Sequence, residues 1–248
     1  TLLRTMVEAS QRTEGRYDPT VLPALMEAGY RASIEDADRV TQLAPGPHRS
    51  CVGVGDVVID GQAGSVRLPP EVAIDPGGIG KGLAADLVAE QLVRDGAAGA
   101  LVSIGGDLAT AGHAPHAHGW EVEVEDPHDP VRALAHLGMP CGGVATSSTI
   151  SRRWRRDGTS THHVIDPYTG VPSTTDLATV TVVAARAWLA EAHATGALLG
   201  GSSQVPAYAD AHNVEALAVD HDGRMFVTGG LDPTLVTPNR PLAEEAYS

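Results

Sequence analysis

Residues 72–86 read V-A-I-D-P-G-G-I-G-K-G-L-A-A-D, with Gly77, Gly78, Gly80 and Gly82 packed around Lys81. The first four residues form an apolar, strand-like run ending at Asp75. From Lys81 onward the pattern is helical and runs to Asp95, where Gly96 closes it. Glycines let the backbone approach a phosphate closely, and the start of a helix offers free N–H groups at the positive end of its dipole. Lys81 adds a point charge at the same place. The segment is not a Walker A loop, because the first glycine and the Ser/Thr after the lysine are missing. Gly80-Lys-Gly82-Leu-Ala-Ala85 does fit the looser dinucleotide pattern, with Asp107 downstream, which keeps a Rossmann-type dehydrogenase among the readings. The bland alternative is a tight turn with close helix packing.

Composition narrows the classes. Lys81 is the only lysine, and the other sixteen basic residues are arginines. So strong a bias leaves lysine where a guanidinium does not fit, which singles out Lys81. The chain has 248 residues, 42% hydrophobic and 19% charged, and a formal net charge of −14. It is long enough for a sizeable core, and its balance argues against a broad nucleic-acid or anionic-membrane surface. Cys51 and Cys141 are too few for a disulfide framework, and two buried thiols are expected rather than one bridge. No apolar run is long enough to span a membrane, and no leader or lipidation cysteine opens the chain. That favours a soluble, cytoplasmic protein, or an exported or tethered one if a leader preceded Thr1.

Working outward, Leu2–Thr13 has helical spacing of apolar residues, and Val21–Ala28 is a short apolar stretch. Ser33-Ile-Glu-Asp36 resembles a capping box opening a helix to about Leu43. Short strands are expected between Cys51 and Asp75 (V-V-I-D, S-V-R-L, E-V-A-I-D) and at Ala100–Ile104, Trp120–Glu125, Gly143–Thr146, Thr161–Ile165 and Ala178–Ala184. Helices follow at Ala187–Leu199 and at about Ser203–Asn213, and then a closing strand pair, A-L-A-V-D and R-M-F-V. The expected fold is α+β, a single domain over 1–248 with a mostly antiparallel mixed sheet and several packed helices.

Three further segments carry candidate chemistry. In S-I-G105-G106-D107, Asp107 either meets a ribose or adenine or caps the turn. In T-H162-H163-V-I-D166-P-Y-T-G170, adjacent strand histidines point to opposite faces, so one at most reaches a site; it is either a general base or structural. His113, His116 and His118 lie in a polar loop and read as solvated. Glu191 lies on or beside the apolar stripe of helix Ala187–Leu199, with Thr195 one turn on. A core-facing carboxylate needs either an arginine partner, such as Arg152, Arg153, Arg155 or Arg156, or a hard cation such as Mg²⁺.

Taken in order and spacing, D-P-G-G-I-G-K-G-x-A-x-D, S-I-G-G-D, V-A-T-S, H-H-V-I-D-P-Y-T-G-V-P and A-E-A-H-A-T-G-A-L-L-G resemble the ApbE family, from about Leu2 to Asp232. The earlier Y-D-P-T-V resembles that family's F-D-P-T-V stretch. The resemblance implies an Mg²⁺-dependent FAD:protein FMN transferase, with FAD as substrate. Such an enzyme joins FMN through its phosphate to a Thr or Ser hydroxyl of a target protein bearing a D-x-x-[ST]-G-A-[ST]-like motif, and releases AMP. It implies Gly78, Glu191 and Thr195 as metal ligands. Gly77, Gly78, Lys81, Gly105, Gly106, Asp107, Thr146, Ser147 and Asp166 are implied in FAD binding, and His163 as general base or phosphate contact.

Three departures from the family pattern stand out. Glu191 replaces an Asp, lengthening the side chain by roughly 1.5 Å, one C–C bond. Ser148 stands where a glycine is usual. The family's N-terminal strands, with an M-G-T motif and an aromatic flavin contact, have no counterpart before Leu2. Two other activities remain as alternatives on these residues: an FAD pyrophosphatase yielding FMN and AMP, and a non-catalytic FAD-binding protein.

Overall fold

The computed structural model describes residues 1–32, 38–117, 119–156 and 158–231. In chain order the elements are α1 (Leu2–Arg12), α2 (Leu22–Glu27), β1 (Val58–Asp60), β2 (Ser65–Arg67), α3 (Gly80–Arg94), β3 (Gly99–Ile104) and β4 (Asp107–Gly112). Then come β5 (Trp120–Asp126), β6 (Asp129–Met139), β7 (Gly142–Ser148), β8 (Arg153–Arg156), β9 (Thr159–His162), β10 (Ile165–Asp166) and β11 (Val171–Pro172). The chain continues through β12 (Leu177–Ala184), α4 (Ala187–Gly200), a 3-10 turn at Ser202–Gln204, α5 (Val205–His212), β13 (Glu215–Asp220) and β14 (Met225–Val227). The class is α+β with a mainly antiparallel sheet, as expected. The chain divides into two compact units, one of Thr1–Gly77 with Thr149–Thr174, the other of Gly78–Ser148 with the chain from Thr175 onward.

The first unit is organised by a buried aspartate. Asp18 Oδ1 accepts the Thr20 N–H and hydroxyl at 2.8 and 2.7 Å, its Oδ2 accepts the Gly53 N–H at 3.1 Å, and Thr20 Oγ1 accepts the Val52 N–H at 3.0 Å. A side chain that satisfies several backbone donors can replace secondary structure in fixing a loop. Ala24, Leu25, Ala28 and Ile165 form this unit's small core, with Trp154 and Tyr30 packed on it. The Trp154 indole N–H donates to Ala28 O at 2.9 Å.

The second unit holds a six-stranded sheet in the order β14-β13-β12-β7-β4-β3, every adjacent pair antiparallel. On central β12, Leu177, Ala178, Val180 and Val182 are fully buried. The β5–β6 hairpin packs Val122, Val124, Leu134 and Leu137 against Val144, Leu217, Val219 and Met225. Alanines 85, 89, 100, 109 and 187 make a second cluster where α3, α4 and the sheet meet. Side chains this small bring the backbones close together, and that closeness builds the site.

Several expectations need correction. Residues 71–75 are not a strand: Val72 forms one isolated bridge to Arg49, and 73–76 have no regular structure. Prolines at 69, 70 and 76 flank the segment and cannot donate to a ladder. The expected capping box at 33–36 lies outside the described residues. Asp38–Leu43 is not helical, and Val40 bridges Ala32 instead. Strand Thr161–Ile165 is split into β9 and β10. Strands β4, β6 and β8 escaped the sequence reading, because A-T-A-G, D-P-V-R and R-W-R-R lack a clear period-2 apolar pattern. Both cysteines are free, but Cys141 is exposed and Cys51 only half-buried. Burial, then Asp18 and Asp166, push the Cys51 thiol up to about 11. Among the described residues no helix is long and apolar enough to cross a membrane.

Candidate functional site

The glycine-rich segment enters α3 without a side-chain cap, so its first amides are available to other partners. Gly77 N–H is taken by Asp75 Oδ1 at 3.0 Å, and Gly78 lies at φ 79°, a left-handed conformation that favours glycine. Lys81, in the first turn, reaches Asp107 Oδ2 at 2.5 Å and lies 3.8 Å from Glu191 Oε1. The Gly82 N–H donates to Glu191 Oε2 at 2.8 Å. One ammonium and one helix-start amide therefore meet two carboxyl groups drawn from β4 and α4.

Asp107 reaches this place through a two-residue hairpin. Gly105 (φ 58°) and Gly106 (φ 90°) are both left-handed, the conformation a tight β3–β4 turn needs. Asp107 therefore opens β4 rather than closing a strand, and it is 1% exposed. A Cβ on Gly105 would lie 3.1 Å from Lys81 Cδ, so this turn also walls the lysine stem. Glu191 is 4% exposed. Burial, then the neighbouring Asp107 charge, push its carboxyl up to about 8, against the pull of Lys81 and the Gly82 amide. Burial likewise raises Asp107, and Lys81 draws it back down. Two buried acids with one resident cation leave the site short of positive charge.

The hydroxyls lie beside it. Ser147 Oγ and Thr195 Oγ1 are 3.0 Å apart, and Thr195 also bonds Glu191 O at 3.4 Å, one turn back on α4. Thr146 Oγ1 pairs with Thr181 Oγ1 across β7–β12 at 2.8 Å. Glu191, Thr195 and a Gly78 carbonyl are all oxygen donors. Among the described residues no three His, Cys, Asp or Glu side chains gather around a common point.

The structure thus brings Lys81, Asp107 and Glu191 together, as well as Ser147 with Thr195. In place of an arginine, the partners of Glu191 are Lys81, Asp107 and the Gly82 amide. His163 and Asp166 also belong to the first unit. His162 is the buried histidine, its Nε2 bonded to Ser173 O at 3.0 Å and its Nδ1 accepting the Val164 N–H at 3.3 Å, a structural role. His163 is half-buried in the link between β9 and β10. Asp166 Oδ1 accepts the Tyr168 N–H at 2.8 Å and so shapes the Asp-Pro turn. In the polar loop, His113 and His116 are exposed, and His118 lies outside the described residues. The sequence reading missed the part of the Gly82 amide, which donates to the Glu191 carboxyl from the first turn of α3.

Comparison with known proteins places these residues in a lineage. Residues 1–218 match the model of the ApbE family. The chain belongs to that family. Similar proteins include the FAD:protein FMN transferase of Vibrio cholerae, 27% identical over 220 residues, which are 88% of this chain and 66% of that protein. Another is the FAD:protein FMN transferase of Treponema pallidum, 29% identical over 245 residues, 93% of this chain and 67% of that protein. Among solved structures, the ApbE protein from Thermotoga maritima matches with a TM-score of 0.77 at 26% identity, covering 92% of this chain and 74% of that one. The flavin transferase ApbE from Vibrio cholerae matches with a TM-score of 0.70 at 25% identity and the same coverage. This ApbE-family chain spans just under two thirds of the Vibrio cholerae relative's length.

Proposed function

We infer that this chain, acting as one ApbE-like module, transfers FMN from FAD to a Thr or Ser hydroxyl of a partner protein and releases AMP, with Mg²⁺ as its metal ion. The observation that carries this reading is the half-exposed Lys81 held by the buried carboxyls of Asp107 and Glu191 at the start of α3, in a chain whose relatives are FAD:protein FMN transferases. Such a site suits a pyrophosphate. Lys81 and the α3 amides hold phosphate oxygens, and Asp107 keeps the ammonium oriented. The glycines Gly77, Gly78, Gly105 and Gly106 leave room for the nucleotide, with Thr146, Ser147 and Asp166 as further FAD contacts.

The oxygen donors of Glu191, Thr195 and Gly78 suit a hard cation. The upward push on the buried Glu191 carboxyl is relieved by added positive charge, so the residues fit Mg²⁺. When bound, the ion neutralises phosphate oxygens. In the transfer, the acceptor oxygen forms a bond to the phosphorus on the riboflavin side. The bond from that phosphorus to the bridging oxygen breaks, and AMP departs with that oxygen. We assign the hydroxyl proton to His163, on its place in the H-H-V-I-D-P motif. The acceptor is a protein segment of the D-x-x-[ST]-G-A-[ST] kind.

Chromatography of FAD after incubation with the protein, Mg²⁺ and a peptide bearing that pattern tests the reading, with EDTA and peptide-free controls. Mg²⁺-dependent AMP and a flavinylated peptide are expected. AMP and free FMN without peptide would instead make the chain a pyrophosphatase, and intact FAD would make it a binding protein. His163→Ala and Glu191→Ala are each expected to lower transfer by at least about 10²-fold with circular dichroism unchanged. Undiminished transfer by either variant removes that residue from its role.

A further inference from the structure

Helix α4 carries Glu191 and Thr195, yet its own N-cap residue, Arg186, gives it no side-chain cap. The cap comes from another helix. Asp86, in the middle of α3 and 5% exposed, accepts the Ala187 N–H through Oδ1 and the Trp188 N–H through Oδ2, both at 3.1 Å. Arg186 Nε lies 3.4 Å from Asp86 Oδ1, and its other arm reaches Glu90 Oε1 at 2.6 Å. A carboxylate that meets two first-turn amides is well suited to satisfying the orphan donors of a helix start.

The placement of this cap matters more than its energy. Gly82 and Asp86 are four residues apart on α3, and Ala187 and Glu191 are four apart on α4. Gly82 meets Glu191 and Asp86 meets Ala187, so the two helices are tied at two rungs that lie four residues apart on each. Side chains four apart are stacked on one face, so fixing the register at one rung fixes it at the next. Ala187 is also wedged. A Cβ on Gly82 would lie 2.5 Å from Ala187 O, and a Cβ on Gly143 of β7 would collide with the Ala187 backbone. The wedge sets how close α4 comes, and Asp86 sets its position along α3.

We propose that Asp86 is a positioning residue: by capping α4 from α3 it sets the register that holds the Glu191 carboxyl on the Gly82 amide and beside Lys81. The consequence for catalysis rests on the transferase reading above, whereas the register does not.

The test uses the full chain and Asp86→Asn, which keeps the shape but sets an NH₂ against one of the two amides. Amide hydrogen exchange at Gly82 is read by NMR, beside Val180 and Val182 as sheet controls. Exchange at Gly82 at least tenfold faster, with the sheet controls unchanged, is expected. For FAD turnover, kcat is expected to fall tenfold or more with KM within twofold. Arg186→Gln, on a half-exposed residue, tests the same register without emptying the cap, and is expected to speed Gly82 exchange two- to threefold. It decides the question if Asp86→Asn does not fold. Unchanged Gly82 protection in the folded variants overturns the proposal and leaves Asp86 a helix cap alone. Should the wild type not turn over FAD, the transferase reading fails while the Gly82 measurement still decides the register.

Discussion

At the scale of single residues, Lys81 is the clearest case of a side chain chosen by its surroundings. Its ammonium is shared between Asp107 and Glu191, and its stem runs past the Gly105 backbone. A guanidinium is planar and broader, and it would have to spread where the hairpin turn already stands. Lys81→Arg is therefore expected to lower FMN transfer by about 10-fold or more although charge is kept, with Lys81→Ala lower still, by about 10²-fold. Equal activity of Lys81→Arg, measured by AMP release, would show that only the charge matters. Glu191 is the complementary case. Its carboxyl group takes the Gly82 amide through one oxygen and stands 3.8 Å from Lys81 through the other.

At the scale of elements, the decisive contact is that of α3 with α4 and β7. Glycines at 82 and 143 and an alanine at 187 bring three backbones together, and larger residues on any of them would separate the groups that form the site. Gly82→Ala is expected to cost about 2–3 kcal/mol, because the obstacle is a backbone carbonyl that cannot rotate away. Urea unfolding of the variant measures this, and a loss under 0.5 kcal/mol would mean, by about the margin typical of surface changes, that the helices separate freely. The β3–β4 hairpin is the other element that matters. Its two left-handed glycines are needed less for the turn itself than for the point at which they release Asp107 toward Lys81.

At the scale of the whole molecule, each unit has its own core: Ala24, Leu25, Ala28 and Ile165 with Trp154 in the first, and the sheet clusters in the second. Trp154→Ala removes the largest side chain packed on the smaller core and the hydrogen bond to Ala28 O. It is expected to cost about 3 kcal/mol in the first unit. Hydrogen exchange is expected to quicken in α2, β8 and β9 while Val180, Val182 and Val219 stay protected. Equal quickening of the sheet would show that the chain unfolds as one body. The net charge of −14 belongs to this scale too, and it makes a local cluster of Lys81 and helix-start amides the means of holding an anion.

The sequence alone determined the helices with clear apolar spacing, α1, α3 and α4, the glycine junctions, and the candidates Lys81, Asp107 and Glu191. Periodicity, glycine and unusual composition are local signals, written in neighbouring residues. Strands β4, β6 and β8 were not legible, because their pairing partners, rather than their own pattern, make them strands. Only the tertiary structure decided that Glu191 answers to Lys81 and the Gly82 amide rather than to an arginine, and that Asp86 caps a helix a hundred residues away. The physical reason is that burial and hydrogen-bond partnership are properties of the space a chain encloses. They come into being only when alanine- and glycine-lined backbones close on one another.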